Sequence, residues 1–208
     1  MLPRLFALSL AATLICLAAD TPPKLRLGDE VTPTKYAVDL TLVPGSADFS
    51  GAIDIDVTLS RSTSLIWLNR RNITIAEARV TAGGKTQTAA LEPGGEQFVG
   101  LRVPAAVAAG AARLHLEYKG KISDKSSEGI FSGHDGNETY LFTQFEEIDA
   151  RRAYPCFDQP NFKTPWQVTL HVKKDQLAFA NTPQVSETGE PNNMKKVVFA
   201  PTKPLPSY

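Results

Sequence analysis

The chain is poor in the residues from which cross-linked and metal-dependent proteins are usually built. Its 208 residues include two cysteines, three histidines, two methionines and two tryptophans. Cys16 falls in an apolar N-terminal run, so Cys156 is the only thiol expected in the mature chain, which excludes an intramolecular disulfide. Stability must then come from packing. The histidines are scattered: His115 precedes Leu116, His134 precedes Asp135 and His171 precedes Val172. No helix carries the paired histidines of a zinc site, and all three are read as surface or packing residues. Neither sign of charge is in excess, with 22 Lys and Arg against 22 Asp and Glu. That balance argues against a nucleic-acid partner, because phosphate binding needs a basic surplus.

A long apolar run is also missing. A membrane-spanning helix needs ~20 apolar residues, and the uncharged apolar run Leu5 to Leu17 falls short of that. It follows Arg4 and precedes Ala18, Ala19 and Asp20. A positive start, an apolar centre and a small-residue end are the order of a secretory leader. Residues 1–19 are therefore read as a signal peptide and residues 20–208 as one exported domain, periplasmic or secreted, with no membrane span. Ile15 stands before Cys16 where a lipoprotein cleavage site would have a small residue, so no lipid attachment is expected.

What the chain does have is alternation. Tyr36, Val38, Leu40 and Leu42 are separated by Ala37, Asp39 and Thr41, and Gly51 to Leu59 repeats the pattern around Asp54, Asp56 and Thr58. This period places one side of a strand in a core and the other in water. Leu114, Leu116 and Tyr118 alternate likewise, and strands are predicted at Thr139–Phe145, Trp166–Val172, Leu177–Asn181 and Lys195–Ala200. Leu65 to Leu68 is a continuous apolar run, read as a strand buried on both faces. Ile73–Ile75 and Ala78–Val80 lead to a Gly83-Gly84 turn. Alanine-rich Pro104 to Ala112 offers at most a turn or two of helix, and Ser123–Asn137 and Ser186–Asn193 read as polar loops. The fold class expected is all-β, antiparallel and sandwich-like or saddle-like. The tail, with Pro201, Pro204, Pro206 and a terminal Tyr208, reads as cut rather than completed.

One block concentrates charge, rigid backbone and a thiol: Thr143-Gln144-Phe145-Glu146, then Asp149-Ala150-Arg151-Arg152, then Tyr154-Pro155-Cys156-Phe157-Asp158-Gln159-Pro160. On a strand, Gln144 and Glu146 would leave the same face while Phe145 turned into the core. An amide and a carboxylate so placed suit one small charged group. A free α-ammonium, with a pKa of about 7.7–8.0, is such a group. A solvated strand face explains the same two residues. Cys156, between Pro155 and Phe157, reads as a small buried hydrophobe with no basic partner to activate it. Arg151, Arg152 and Asp158 read as a structural ion-pair network.

The run Thr143 to Lys163 resembles the N-terminal domain of the aminopeptidase N family of zinc metallopeptidases. That family carries T-Q-x-E/Q followed by A-R-x-x-F-P-C-x-D-x-P-x-x-K, seen here as Thr143 to Glu146 and Ala150 to Lys163. The likeness extends to Pro33–Leu42, Phe49-Ser50-Gly51, Glu128-Gly129-Ile130-Phe131, Asn181-Thr182-Pro183 and Lys203 to Tyr208, nearly the whole mature chain. Tyr154 replaces the usual phenylalanine and Gln159 the usual glutamate.

The resemblance implies that Glu146 takes the substrate's free α-amine, with Gln144 as its helper. The partner would be a peptide N-terminus, and the bond after Glu146, here to Glu147, would be cis. It further implies a zinc aminopeptidase whose H-E-x-x-H and G-x-M-E-N motifs lie in a downstream catalytic domain. Neither motif occurs in these 208 residues, so no catalytic residue and no metal ligand is assigned here. The chain alone is expected to be an inactive, substrate-anchoring domain. A non-catalytic binding or scaffold module of the same fold is the alternative.

Overall fold

Two long strands set the frame: β1 (Val31–Thr41) and β2 (Asp48–Leu59) pair antiparallel, from Val31 opposite Leu59 to Thr41 opposite Ser50. The computed structural model describes residues 21–208, so the signal-peptide reading of residues 1–19 lies outside the described residues. The chain continues through β3 (Thr63–Asn69), β4 (Ile73–Ala82), β5 (Lys85–Thr88), β6 (Ala90–Gly94), β7 (Phe98–Val107) and β8 (Gly110–Lys121). It ends with β9 (Gly129–Asp135), β10 (Glu138–Gln144), β11 (Trp166–Lys173), β12 (Gln184–Glu190) and β13 (Met194–Phe199). The fold is all-β, as the alternation predicts.

Eight strands form one sheet in the order β12-β13-β11-β1-β2-β8-β4-β5; β3-β7-β6 form a second, and β9 with β10 a hairpin. One pair departs from the antiparallel expectation. β11 runs parallel to β1, with Tyr36 beside Trp166 and Leu40 beside Leu170. Long-range pairing of this kind leaves no turn signal in the sequence.

The inward residues of both sheets meet in one core. Ile53, Ile55 and Val57 from β2, Leu114, Leu116 and Tyr118 from β8, and Ile66, Leu68, Leu101 and Val103 from the smaller sheet belong to a single buried cluster. Residues Ala150, Ala153, Tyr154, Cys156 and Phe157 join it, so the charged block is anchored in the core rather than laid over it.

Several local expectations are corrected. Leu65–Leu68 is not buried on both faces: Ile66 and Leu68 are buried, Leu65 and Trp67 only half, because β3 lies at the edge of its sheet. Ile73–Ile75 and Ala78–Val80 are one strand, β4, with a register shift between Ile75 and Glu77. Pro104–Ala106 is strand, not helix. The Gln87 side chain stands in for a neighbouring strand there, its Nε2 donating to the Ala105 carbonyl (3.0 Å) and its Oε1 accepting the Ala105 N–H (2.9 Å). β9 and β12 occupy the segments read as polar loops, and Leu177–Asn181 is not strand. Near the tail, Leu205 bridges to Thr164 and Ser207 is buried, which leaves the reading of the tail as cut untouched.

Candidate functional site

β10 stops at Gln144, and the chain turns away from the hairpin. The Asp149 N–H closes the turn on the Phe145 carbonyl at 2.9 Å, and one 3-10 turn, Ala150–Arg152, follows. Glu146 therefore sits in the turn and not on the strand, so the same-face placement with Gln144 does not hold. The two are brought together another way. Gln144 Oε1 accepts the Phe145 N–H at 3.0 Å and lies 3.5 Å from the Glu146 nitrogen, folding the amide back onto the turn. The Glu146–Glu147 peptide is cis. Both glutamates are exposed, and among the described residues none pairs with either carboxylate.

The turn is fastened on both sides. Phe145 packs on the core, its ring edge-on to Tyr154 with centroids 5.5 Å apart. Tyr154 touches Trp166 at 5.3 Å, and Trp166 stacks on Tyr36 at 3.9 Å with planes 5° apart. This aromatic column runs from β1 and β11 to the foot of the turn. On the other side Arg152 bridges two acids, its Nε donating to Asp149 Oδ1 and its Nη2 to Glu128 Oε2, each at 2.6 Å. Gly129 makes room for it. Its φ is +70°, and a Cβ there would come within 2.7 Å of Arg152 Cβ.

Beneath the turn lies a second, closed network. Arg151 Nε donates to Asp158 Oδ2 (2.9 Å), its Nη2 to the Asp158 carbonyl (3.1 Å) and its Nη1 to Gln97 Oε1 (3.1 Å). Ser207 Oγ donates to Asp158 Oδ1 at 2.6 Å, and Asn69 Oδ1 accepts the Asp158 N–H at 3.0 Å. Arg151 and Asp158 form the ion pair expected of them, whereas Arg152 belongs to a separate one with Asp149 and Glu128. Sequence reasoning missed Asn69, Gln97, Glu128 and Ser207, which lie far along the chain from the block.

Residues 32–208 match the peptidase M1 N-terminal domain. The chain belongs to that family. Aminopeptidase N from Acetobacter pasteurianus is 31% identical over 193 residues, covering 88% of this chain and 52% of the relative. Aminopeptidase M1-A from Oryza sativa subsp. japonica is 28% identical over 193 residues, covering 88% of this chain and 22% of that protein. The puromycin-sensitive aminopeptidase of Caenorhabditis elegans is 28% identical over 191 residues, covering 88% and 20%. This M1 N-terminal domain thus spans between a fifth and about half of the length of these curated relatives.

The remaining chemistry-bearing side chains of the M1 domain do not converge on Glu146. Cys156 is fully buried; burial first, then the Asp158 charge, pushes its thiol well above the usual range, which leaves it unreactive. His115 Nδ1 lies 2.7 Å from Asp54, His134 Nδ1 3.1 Å from Thr139 Oγ1, and His171 sits between Asp39 and Glu190. Among the described residues no group of three or more His, Cys, Asp or Glu could hold a metal ion. No described helix is long and apolar enough to cross a membrane. Two shallow depressions, of about 310 and 270 Å³, involve Arg70, Leu91 and Glu92 in one case and Asp39, Ser50 and Lys119 in the other. Neither contains Gln144 or Glu146, and both of these residues are exposed.

Proposed function

We propose that this M1 N-terminal domain anchors the free α-ammonium of a peptide on Glu146 and forms one wall of the active site of a zinc aminopeptidase. The observation that carries the reading is the state of Glu146: an exposed carboxylate without a protein partner, on a turn fastened to the core by Phe145 and, through Arg152, to Glu128 at the foot of the hairpin. A charge held in place but left unpaired is suited to a ligand of opposite sign. The α-ammonium of a peptide, with a pKa of about 7.7–8.0, is largely protonated at neutral pH. An internal peptide bond has no such group, so anchoring by Glu146 makes the activity exopeptidic and sets the distance from chain end to scissile bond.

Gln144 assists by holding the Phe145 and Glu146 amides, which orients the turn. The residues described here do not fit zinc, so no chemical step is assigned to them; the metal belongs to a companion catalytic domain of the kind the longer relatives have room for. The leader-like order of residues 1–19 supports export of the protein.

The test is Glu146→Ala and Glu146→Gln in the enzyme formed by this domain with its catalytic domain. Loss of a charge-assisted bond worth about 2–3 kcal/mol should lower kcat/KM for dipeptide hydrolysis about 100-fold. Unchanged activity would contradict the anchor.

A further inference from the structure

Between β11 and β12 the chain returns along the large sheet as a strap, residues 174–183. At one end of β13 the Lys174 N–H donates to the Asn193 carbonyl (2.9 Å), and at the other the Pro183 carbonyl accepts the Ala200 N–H (2.9 Å). Beneath the strap, Val172, Val197 and Phe199 form a small buried cluster of their own, apart from the core that the two sheets share. The strap reaches this cluster through Ala178. The residues on either side of Ala178 turn the other way: Leu177 is 79% and Phe179 82% exposed. Two large apolar side chains on one segment, held against water and adding nothing to the core, mark a surface that another body covers.

The strap lies on the same side of the sheet as the Glu146 turn. Trp166, Val168, Leu170 and Val172 alternate along β11 and so share one face. The last three of these meet the strap's cluster, while Trp166 belongs to the aromatic column under Phe145. Thr202 joins the two places, its N–H donating to the Trp166 carbonyl (2.9 Å) and its Oγ1 accepting the Trp166 N–H (3.0 Å). His171, with Asp39 and Glu190, takes the opposite face. Ile148, in the Glu146 turn, is a further exposed apolar residue on the strap's side. A body that closes over Glu146 therefore continues onto Leu177 and Phe179. The relatives have room for such a body, since this chain covers only 20% to 52% of their length.

Resting on the reading of this domain as one wall of an aminopeptidase active site, we propose that Leu177 and Phe179 are the seat of the companion catalytic domain. The strap then holds the two domains together, and the Glu146 turn faces the cleft between them.

The chain, and the enzyme that joins it to its catalytic domain, are labelled side by side with hydroxyl radicals and read by mass spectrometry. Leu177 and Phe179 should react in the chain and be protected about tenfold in the enzyme, as for side chains entering the core of an interface. His115, on the other face of the sheet, should react alike in both. Phe179→Glu should leave the thermal midpoint of the chain within about 2 °C, as for an exposed site. In the enzyme it should undo most of the protection of Leu177, and Phe179→Leu should keep it.

Equal labelling of Leu177 and Phe179 in chain and enzyme overturns the seat; if Glu146→Gln still removes activity, the anchor stands. A protected strap with full activity in Glu146→Gln keeps the seat and rejects the anchor. Sedimentation in which the chain self-associates through Phe179, with no protection in the enzyme, makes a second copy the occupant and overturns the proposal. A full-length protein that carries no catalytic domain overturns both readings.

Discussion

Arg151 and Asp158 form an ion pair closed off from solvent, Nε to Oδ2 at 2.9 Å, with side-chain exposures of 7% and 0%. Every polar atom of the Asp158 carboxylate is used, Oδ2 by Arg151 and Oδ1 by Ser207. The cost of desolvating such a pair is large, but removing one partner is worse, because the other charge stays buried. Asp158→Ala should therefore destabilise the domain by about 3–5 kcal/mol. Urea denaturation read by intrinsic fluorescence measures it; a loss below about 1 kcal/mol would show that Arg151 finds solvent.

Arg152 plays a different part, since its two acids, Glu128 and Asp149, belong to separate segments that it joins. Arg152→Lys offers a point charge in place of the planar fork and cannot span both. The expected result is a global stability change within about 1 kcal/mol, with amide exchange at Asp149 and Glu146 accelerated by about tenfold. Equal protection of the turn in both proteins would remove Arg152 from the clamp.

His171 links three strands, with Nε2 2.9 Å from Asp39 on β1 and Nδ1 2.7 Å from Glu190 on β12. Burial opposes its charged form, but the hydrogen bonds to Glu190 and Asp39 outweigh burial and raise its pKa. A folded-state pKa above the usual value of about 6.5 gives stability that is fully present below that pH. The contribution is lost as pH rises through the folded value. His171→Gln should remove that part of the pH dependence, seen in urea midpoints taken from mildly acid to alkaline pH. A mutant curve parallel to the wild type would rule out the linkage.

Two buried tyrosines provide a matched pair. Tyr36 Oη accepts the Phe157 N–H at 3.1 Å, whereas among the described residues Tyr118 Oη has no partner. Tyr36→Phe leaves a buried amide unsatisfied and should cost about 1–3 kcal/mol. Tyr118→Phe removes an orphaned hydroxyl and should be neutral or stabilising by up to about 1 kcal/mol. Thermal unfolding of the two variants side by side checks the difference, and equal losses would refute it.

The strands that alternate strongly were legible because each needs only its own side chains to declare an inner face: β1, β2 and β8 follow their apolar periods closely. β12 was not, since as an edge strand its residues are exposed on almost every position and show no period. β9 was hidden by Gly129 and Gly133, which read as loop residues until Arg152 and Phe142 are seen lying against them. Leu177 and Phe179 misled in the opposite sense, apolar yet 79% and 82% exposed.

By itself the sequence determined the strand class, the identity of the charged block and the candidacy of Gln144 and Glu146, because those rest on residue type and short spacing. Only the tertiary structure decided that Glu146 leaves the strand for a turn, that Arg151 and Arg152 serve separate networks, and that the tail closes on Asp158 through Ser207. The two networks and the docked tail draw on partners tens of residues away, Gln97 for Arg151, Glu128 for Arg152 and Ser207 for Asp158. Burial and hydrogen-bond satisfaction are properties of the assembled core, and no local pattern encodes them.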